Sequence, residues 1–242
     1  MIYGIYKQNK LEAAPNLQAN CPCCGAELTP KCGEFNVWHW AHKSKKNCDS
    51  WHGNETQWHK DWKNKFPLSR QEVVMRDNIT NEKHIADVKL NNGLVIEFQN
   101  SSITAEEIRQ REKFYGKMIW VVNADKFKDN IFDFDTDKRW AFFRWERFRK
   151  CWGFAKMPVF LDFPNGGPTD ECRYLDGKKT NIISADYSDT LIWFKEHLGY
   201  ACYSGCCKHS KSKSSCSYCG SLFFNCRGRK VSKKAFLLKY TS

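Results

Sequence analysis

The sequence of residues 84–99 is HIADVKLNNGLVIEFQ, and its pattern predicts two β-strands joined by a tight turn. Asn91-Asn92-Gly93 supplies residues that are typical of a hairpin turn. Successive side chains of a strand point to opposite faces, so Glu97 and Gln99 share one face and the apolar residues beside them share the other. Asp87, on the first strand, is then close enough to join Glu97 and Gln99.

The segments around this hairpin complete a small α/β (α+β) unit. The further predicted elements are a helix over residues 54–66, a strand over 72–76, a helix over 104–115 and a strand over 117–122. In the first helix, apolar Trp58, Trp62 and Phe66 recur every four residues and are expected to face a core. Thr104 and Glu107 form the capping-box pattern that begins a helix.

The chain is strongly basic. It carries 39 Lys and Arg residues against 27 Asp and Glu among its 242 residues, a formal net charge of +12. Such an excess favours a polyanionic partner, with nucleic acid ahead of an anionic membrane surface. The alternative is an ordinary solvated basic surface.

The use of cysteine points to a reducing compartment. The first residues lack the apolar segment of a signal peptide, and no run approaches the length of a membrane span. We therefore expect a cytoplasmic protein that needs no membrane. Thiols stay reduced there, so the 13 cysteines are expected to bind metal rather than to form disulfides.

The first cysteine cluster predicts a zinc site. Cys21 and Cys24 offer two thiolates at the spacing of a zinc knuckle, and further ligands follow downstream. The preferred ligands are Cys21, Cys24, His42 and Cys48. His39 is expected to pack beside them, and the alternative is a set of reduced structural cysteines.

A second zinc ion is predicted near the end of the chain. Its preferred ligands are Cys202, Cys206, Cys216 and Cys219. The first half of this set is ambiguous, because Cys207 and His209 are also candidates. Arg227 and Arg229 follow closely, so the module is expected to bind nucleic acid or to act only as a structural staple.

Aromatic and basic residues alternate over residues 139–156. Such a mixture suits single-stranded nucleic acid. Trp145, Phe148 and Trp152 are, however, also spaced like one face of a helix, which favours core packing of that face.

Four modules are predicted along the chain. They are a zinc-binding module (1–52), an α/β core (53–124), an aromatic-basic extension (125–180) and a cysteine-rich module that is also expected to bind zinc (181–242).

Asp87 and Glu97 are candidates for a metal site. Two neighbouring carboxylates repel each other unless a cation lies between them, and Mg²⁺ prefers oxygen ligands. The spacing alone favours the alternative, two exposed carboxylates on a strand face.

Residues 21–124 contain a series of short motifs. In chain order they are Cys21-x-x-Cys24, His39-Trp-Ala-His42, Cys48, Glu55, His59, Ala86-Asp87-Val88, Ile96-Glu97-Phe98-Gln99 with Ser101, Arg111, Tyr115 and Ile119-Trp120-Val121-Val122. The series resembles the CoiA-like competence nuclease family, a branch of the PD-(D/E)XK, restriction-endonuclease-like superfamily. The resemblance implies a mixed four-stranded sheet flanked by helices, with Asp87 and Glu97 as metal ligands and Glu55 as a further acidic site residue.

Gln99 departs from the superfamily pattern, in which a lysine ends the motif. Glutamine can orient a water but cannot neutralise an oxyanion. Lys63 and Lys89 are candidates to replace that lysine, although for each alone the pattern favours a solvated surface lysine.

Several other roles remain open at this point. His59 is a candidate catalytic residue, and His84 is either a phosphate contact or a plain strand-end histidine. Arg111 and Tyr115 share a helix face and either pack that helix or contact the scissile phosphate. Glu72 is a possible second-strand acid near the metal.

The leading hypothesis is a nuclease that uses Mg²⁺, or Mn²⁺, to cut DNA, in competence, recombination or phage defence. The alternatives are a zinc-containing nucleic-acid-binding adaptor with a vestigial site, and an effector that cuts RNA. A homo-oligomer is compatible with the sequence.

Overall fold

The structure is a computed structural model that describes residues 1–44, 48–51, 53, 55–133, 140–145, 149–166, 169–170, 188–202 and 222–241. These residues form two compact units, Met1–Ser101 and Ser102–Ser242. Both combine helices with sheets, so the mixed α/β class is confirmed. Within the described ranges, no helix has the length and apolar character that crossing a membrane requires.

The first unit begins with a five-stranded antiparallel sheet in the order β2-β1-β3-β4-β5. Its strands are β1 (Tyr3–Tyr6), β2 (Asn9–Glu12), β3 (Ala19–Asn20), β4 (Glu27–Lys31) and β5 (His39–His42). Lys7 and Gln8 join β1 to β2 with positive φ angles, the backbone of a type I′ hairpin turn. At Gly4 an added Cβ would lie 2.5 Å from the Cβ of Ala19, so the two strands need glycine to approach this closely.

The remainder of the first unit contains the predicted hairpin. Its elements are helix α1 (Gln57–Lys63) and strands β6 (Gln71–Arg76), β7 (Lys83–Lys89) and β8 (Val95–Gln99). Strand β7 pairs antiparallel with both β6 and β8, and Gly93 takes a positive φ in the β7–β8 turn. The hairpin is confirmed, whereas α1 is shorter than predicted at both ends.

Aromatic side chains of α1 pack on the hairpin as predicted. Trp62 stacks on Phe98 with ring centroids 5.5 Å apart, and Trp58 and Phe66 contact the same ring. All five residues of β8 are buried. These contacts fix α1 against the strand that carries Glu97.

The second unit opens with helix α2 (Ala105–Tyr115) and strand β9 (Met118–Asn123), close to their predicted bounds. The predicted capping box is present. The Thr104 hydroxyl accepts from the Glu107 amide at 3.1 Å, and the Glu107 carboxylate accepts from the Thr104 amide at 2.8 Å. Gly116 ends the helix with a φ of 66°.

A mixed sheet follows β9 in the second unit. Its other elements are β10 (Ile131–Asp133), β11 (Trp140–Trp145), β12 (Val159–Asp162), β13 (Thr169–Asp170), β14 (Thr190–Cys202), β15 (Leu222–Ser232) and helix α3 (Lys233–Thr241). Strand β12 runs parallel to β9 and antiparallel to β14, and β14 pairs antiparallel with β15. Phe236, on α3, is buried.

The helical interpretation of the aromatic-basic extension is wrong at Trp145, and Phe148 lies outside the described residues. Trp140–Trp145 is a strand that pairs with β15, and a short 3-10 helix follows at Lys150–Phe154. Core packing nevertheless holds for Trp152, which is buried with its ring against Trp120. The backbone hydrogen bonds to a distant strand override the local spacing of the aromatic residues.

Candidate functional site: a zinc ligand set and a lysine among carboxylates

Four ligand atoms converge in the first unit, and they belong to the four residues of the first predicted zinc site. The Sγ atoms of Cys21, Cys24 and Cys48 and an imidazole nitrogen of His42 all lie within 4.8 Å of one another. The turn after β3 carries the first two cysteines, and the end of β5 carries His42. Within the described part of the chain, this is the group of three or more Cys, His or acidic ligands that could hold a metal.

The spacing of these atoms suits tetrahedral zinc. The Cys21 and Cys48 sulfurs are 3.6 Å apart, and His42 Nε2 lies 3.3 Å from Cys24 and 3.4 Å from Cys48. With Zn–S bonds of about 2.3 Å, tetrahedral geometry places two sulfurs about 3.8 Å apart. The cluster could therefore hold Zn²⁺ with little rearrangement.

Without a cation, burial favours the protonated form of two of the four ligands. Burial raises the pKa of both Cys21 and Cys48, and the neighbouring Cys21 sulfur raises that of Cys48 further. Zn²⁺ binds the thiolate form and would offset this cost. Cys23 and Cys32, which lie outside the ligand set, pack into the adjacent apolar core, and His39 bonds to the Val37 carbonyl.

A second polar cluster, called here the Lys63 cluster, consists of Lys63, Glu55, Glu72 and Asp87. The Lys63 ammonium lies 2.8 Å from Glu55 Oε1, 3.0 Å from Glu72 Oε1 and 2.9 Å from Asp87 Oδ1. Lys63 is fully buried, and Asp87 is the most exposed member, at 18%. The interpretation of Lys63 as a solvated surface lysine is therefore wrong.

Lys63 reaches these carboxylates because three elements converge. It ends α1, while Glu72 lies at the start of β6 and Asp87 in the middle of β7. Lys89 lies two residues after Asp87 and is only partly buried. Of the two candidate replacements for the missing lysine, the structure places Lys63 on the carboxylates.

Glu72 holds an unusual backbone position within the Lys63 cluster. Its φ of 45° lies in the left-handed region, which is costly for a residue with a side chain. Its carboxylate accepts hydrogen bonds from the amides of Ile2 and Tyr3 at 2.8 and 3.0 Å. Glu72 therefore ties β1 to the Lys63 cluster.

Asp87 and Glu97 are held together by the hairpin. The Asp87 amide donates to Glu97 Oε1 at 3.2 Å, and the Phe98 amide donates to Asp87 Oδ2 at 2.9 Å. Gln99 is buried on the same strand, and its amide nitrogen donates to the carbonyl and hydroxyl of Ser101. Glu97 thus brings a fourth carboxyl group next to the Lys63 cluster.

His59 lies beside this arrangement but uses both of its ring nitrogens structurally. Nδ1 accepts from the Thr56 amide at 3.2 Å, and Nε2 lies 3.1 Å from the Phe98 carbonyl. Nε2 therefore carries the proton and donates to Phe98. His59 links the start of α1 to β8, and its catalytic role stays a prediction.

The environment of His59 predicts a pH effect on stability. Burial lowers the pKa of His59 below its ordinary 6.5, although Asp87 and Glu55 oppose this shift. As the pH falls through 6.5, the unfolded chain therefore binds a proton that the folded chain does not, and stability falls. We expect His59→Gln, which keeps a donor for Phe98, to lose less stability than wild type between about pH 7.5 and about pH 5.5.

Urea unfolding at the two pH values measures this difference, with His39→Gln on strand β5 as the control. An equal loss of stability in wild type and His59→Gln would contradict the prediction.

A connection that sequence reasoning missed joins the zinc ligands to β7. Asp49 directly follows Cys48, and its carboxylate lies 2.8 Å from His84 Nδ1 and accepts from the Ile85 amide at 2.8 Å. Burial alone would raise the pKa of Asp49, but the hydrogen bonds from His84 and Ile85 hold it below its ordinary value. The position of Asp49 next to the predicted zinc ligand Cys48 is the feature of the sequence that could have indicated this connection.

His84 is packed rather than presented to a phosphate. It is buried, its ring stacks on Trp51, and its Nε2 lies 2.9 Å from Glu82. The structure therefore supports the strand-end interpretation of His84.

The remaining predicted site residues lie in the second unit or outside the described residues. Arg111 and Tyr115 are both buried on α2, with Arg111 over the Trp120 ring, which supports packing. Arg229 is exposed on β15, and the backbone of Arg227 lies on the same strand. The predicted second zinc site lies outside the described residues at Cys206, Cys216 and Cys219, and of Cys202 only the backbone is described.

Comparison with known proteins identifies the family. Residues 5–50 match the model of the competence protein CoiA N-terminal domain, and residues 56–151 match the model of the CoiA nuclease-like domain. No curated protein and no solved structure matches the chain. The two family models together cover more than half of the 242 residues and include the zinc ligand set and every member of the Lys63 cluster except Glu55. The chain therefore belongs to the CoiA-like competence protein family.

Proposed function

We propose that this protein is a metal-dependent nuclease that hydrolyses phosphodiester bonds of DNA. One observation carries the proposal: Glu55, Glu72 and Asp87 converge on Lys63 beside Glu97, and all of these except Glu55 lie within the residues that match a nuclease-like domain. We infer a restriction-endonuclease-like core, which the order of α1, β6, β7, β8, α2 and β9 along the chain favours.

The donor set fits a divalent metal. Three carboxylates contact the Lys63 ammonium, and Glu97 accepts from the Asp87 amide. The Met1 terminal ammonium lies 3.9 Å from Glu55. Four carboxyl groups with two ammonium groups leave capacity for further positive charge, and Mg²⁺ prefers oxygen ligands. Asp87 and Glu97 would hold Mg²⁺ or Mn²⁺, which supplies Lewis acidity and a water of lowered pKa.

The chain's own residues would divide the remaining work. Lys63 orients the Asp87 carboxylate and places positive charge where a phosphate gathers negative charge. The amide oxygen of Gln99, whose nitrogen is held by Ser101, is an acceptor that can orient the attacking water. Lys63 thus takes the place of the lysine that Gln99 replaces in the motif.

The proposal extends to features that rest on the sequence. The zinc modules, including a zinc-ribbon-like tail with a second zinc, stabilise the chain and help to bind nucleic acid through the basic surface. A reducing cytoplasm suits the cysteine ligands. Competence, recombination and phage defence are all compatible roles, with or without a homo-oligomer.

Cleavage of labelled DNA and RNA, each single- and double-stranded, tests this proposal. Wild type is expected to cut DNA only when Mg²⁺ or Mn²⁺ is added. Asp87→Ala should lower the cleavage rate by more than about a hundredfold. Losing a residue that only supports a metal ligand costs up to about that much, and Asp87 is proposed to bind the metal itself. The matched control is Asp61→Ala, because Asp61 is exposed on α1 and bonds only to a neighbouring side chain, that of Gln57, among the contacts described.

Preserved cleavage by Asp87→Ala, or none by wild type with either metal, would refute the nuclease proposal. Preferential cutting of RNA would keep the site and change the substrate.

One observation favours a second candidate, a zinc-containing nucleic-acid-binding adaptor with a vestigial site. Both carboxylate oxygens of Asp87 already have protein partners, Lys63 and the Phe98 amide. Tight binding without cleavage, unchanged by Glu97→Ala, would support the adaptor.

A further inference from the structure

A cavity of about 490 Å³ lies in the second unit, where α3 packs over β12, β14 and β15. Its volume is within the range of sites that bind a nucleotide-sized ligand. Every residue that lines it follows residue 151, so the cavity lies outside both matched family domains.

The aromatic part of the cavity is built in two layers. Phe236 is buried, and its ring lies 5.1 Å from that of Phe160 and 4.8 Å from that of Tyr240. Phe160 also stacks on Trp193. Trp193 and Tyr240 are only partly buried and line the cavity, and the Lys239 ammonium lies 5.2 Å from the centre of the Tyr240 ring.

The polar part of the cavity is cationic. Arg229, Lys230 and Lys239 line it, and no lining residue is acidic. Arg229 and Lys239 are exposed. Cations beside aromatic faces in one concave site match the chemistry of a nucleic-acid strand, which offers phosphates and unstacked bases in alternation.

We propose that this cavity binds a single-stranded segment of nucleic acid. Bases stack on Trp193 and Tyr240, while phosphates pair with Arg229 and Lys239. A duplex cannot bind in this way, because its bases are already stacked on one another. The inference rests on the proposed function, which makes nucleic acid the polyanion. It adds that the second unit binds the single-stranded form.

Fluorescence anisotropy with a labelled oligothymidylate tests the cavity. The full chain is used without Mg²⁺ or Mn²⁺, so that binding is measured without cleavage. Tyr240→Ala is expected to weaken binding roughly tenfold, because stacking of one base is lost. Tyr240→Phe keeps the ring and should bind like wild type.

The salt dependence of binding tests the cationic part. Removing one phosphate contact with Arg229→Ala should reduce the slope of log affinity against log salt by about 0.7, the value for a single strand. Lys234→Ala is the matched control, because Lys234 is exposed on α3 and does not line the cavity.

Three results would overturn the inference. The first is that Tyr240→Ala binds oligothymidylate like wild type while circular dichroism shows a folded protein. The second is that Tyr240→Ala weakens duplex binding as much as it weakens oligothymidylate binding. The third is that Lys234→Ala reduces the salt slope as much as Arg229→Ala does. Oligouridylate binding with the same sensitivity to Tyr240→Ala would support the cavity and indicate that the sugar is not read.

The outcome is separable from that of the nuclease proposal. Asp87→Ala is expected to bind oligothymidylate like wild type. If wild type cuts no substrate while Tyr240→Ala still weakens binding, the nuclease proposal fails and the cavity inference stands. If wild type cuts DNA but Tyr240→Ala does not weaken binding, the nuclease proposal stands and the cavity inference fails.

Discussion

Replacing Cys48 by serine is expected to release one zinc ion per chain and to lower the melting temperature by more than about 10 °C. Structural Zn²⁺ contributes about 10–16 kcal/mol of apparent binding free energy in zinc-finger peptides. The loss of one of the four converging ligands should remove a large part of such a contribution here.

The effect should extend beyond the zinc ligands themselves. Cys21 and Leu28 belong to the same apolar cluster as Trp40 and Ile85, so the ligand set is part of the core. Asp49, next to Cys48, also holds the Ile85 amide on β7. Loss of zinc is therefore expected to loosen the strand that carries Asp87 and to lower any nuclease activity as well.

Cys32→Ser is the matched control for this prediction. Cys32 is partly buried and packs against the same apolar cluster, but it lies outside the ligand set. Metal content by mass spectrometry and thermal melting under reducing conditions measure the two effects. Equal zinc content in Cys48→Ser and Cys32→Ser would show that the thiol cluster is only structural.

The predictable parts of the molecule are those in which local pattern and tertiary structure agree. The hairpin of residues 84–99 follows from alternation and a turn at Gly93, and the structure forms it. The zinc ligands follow from spacing, because Cys21 and Cys24 lie in one turn and β5 delivers His42 to them. The capping box of Thr104 is equally local.

The features that the local sequence pattern does not predict depend on contacts with distant residues. Trp145 has the spacing of a helix face with Phe148 and Trp152, but its strand pairs with β15, far along the chain. Lys63 has the position of a surface lysine on an amphipathic helix. Only the convergence of Glu55, Glu72 and Asp87 makes its burial tolerable, and no local rule contains that convergence.

Lys63→Met is expected to destabilise the protein by about 3–5 kcal/mol, because it leaves buried carboxylates without their shared cation. Methionine keeps the length of the side chain, so the loss of charge rather than a cavity dominates. Urea unfolding at neutral pH measures the change in free energy.

Lys60→Met is the matched control on the same helix. Lys60 pairs with Glu12 at 2.6 Å, but the Glu12 side chain is 49% exposed, so this pair contributes only about 0–1 kcal/mol. If Lys63→Met were as mild as Lys60→Met, the carboxylates would not depend on Lys63.

The pH dependence gives this prediction a second readout. Burial alone would lower the pKa of Lys63, but Asp87, Glu55 and Glu72 hold it well above its ordinary 10.5. A lysine whose folded-state pKa is raised contributes stability that is fully present below pH 10.5 and is lost only as the pH rises through the folded value. The contribution of Lys63 to stability should therefore be the same at neutral and at mildly alkaline pH. If that contribution were lost below about pH 9, the three carboxylates would not hold the Lys63 ammonium as the geometry requires.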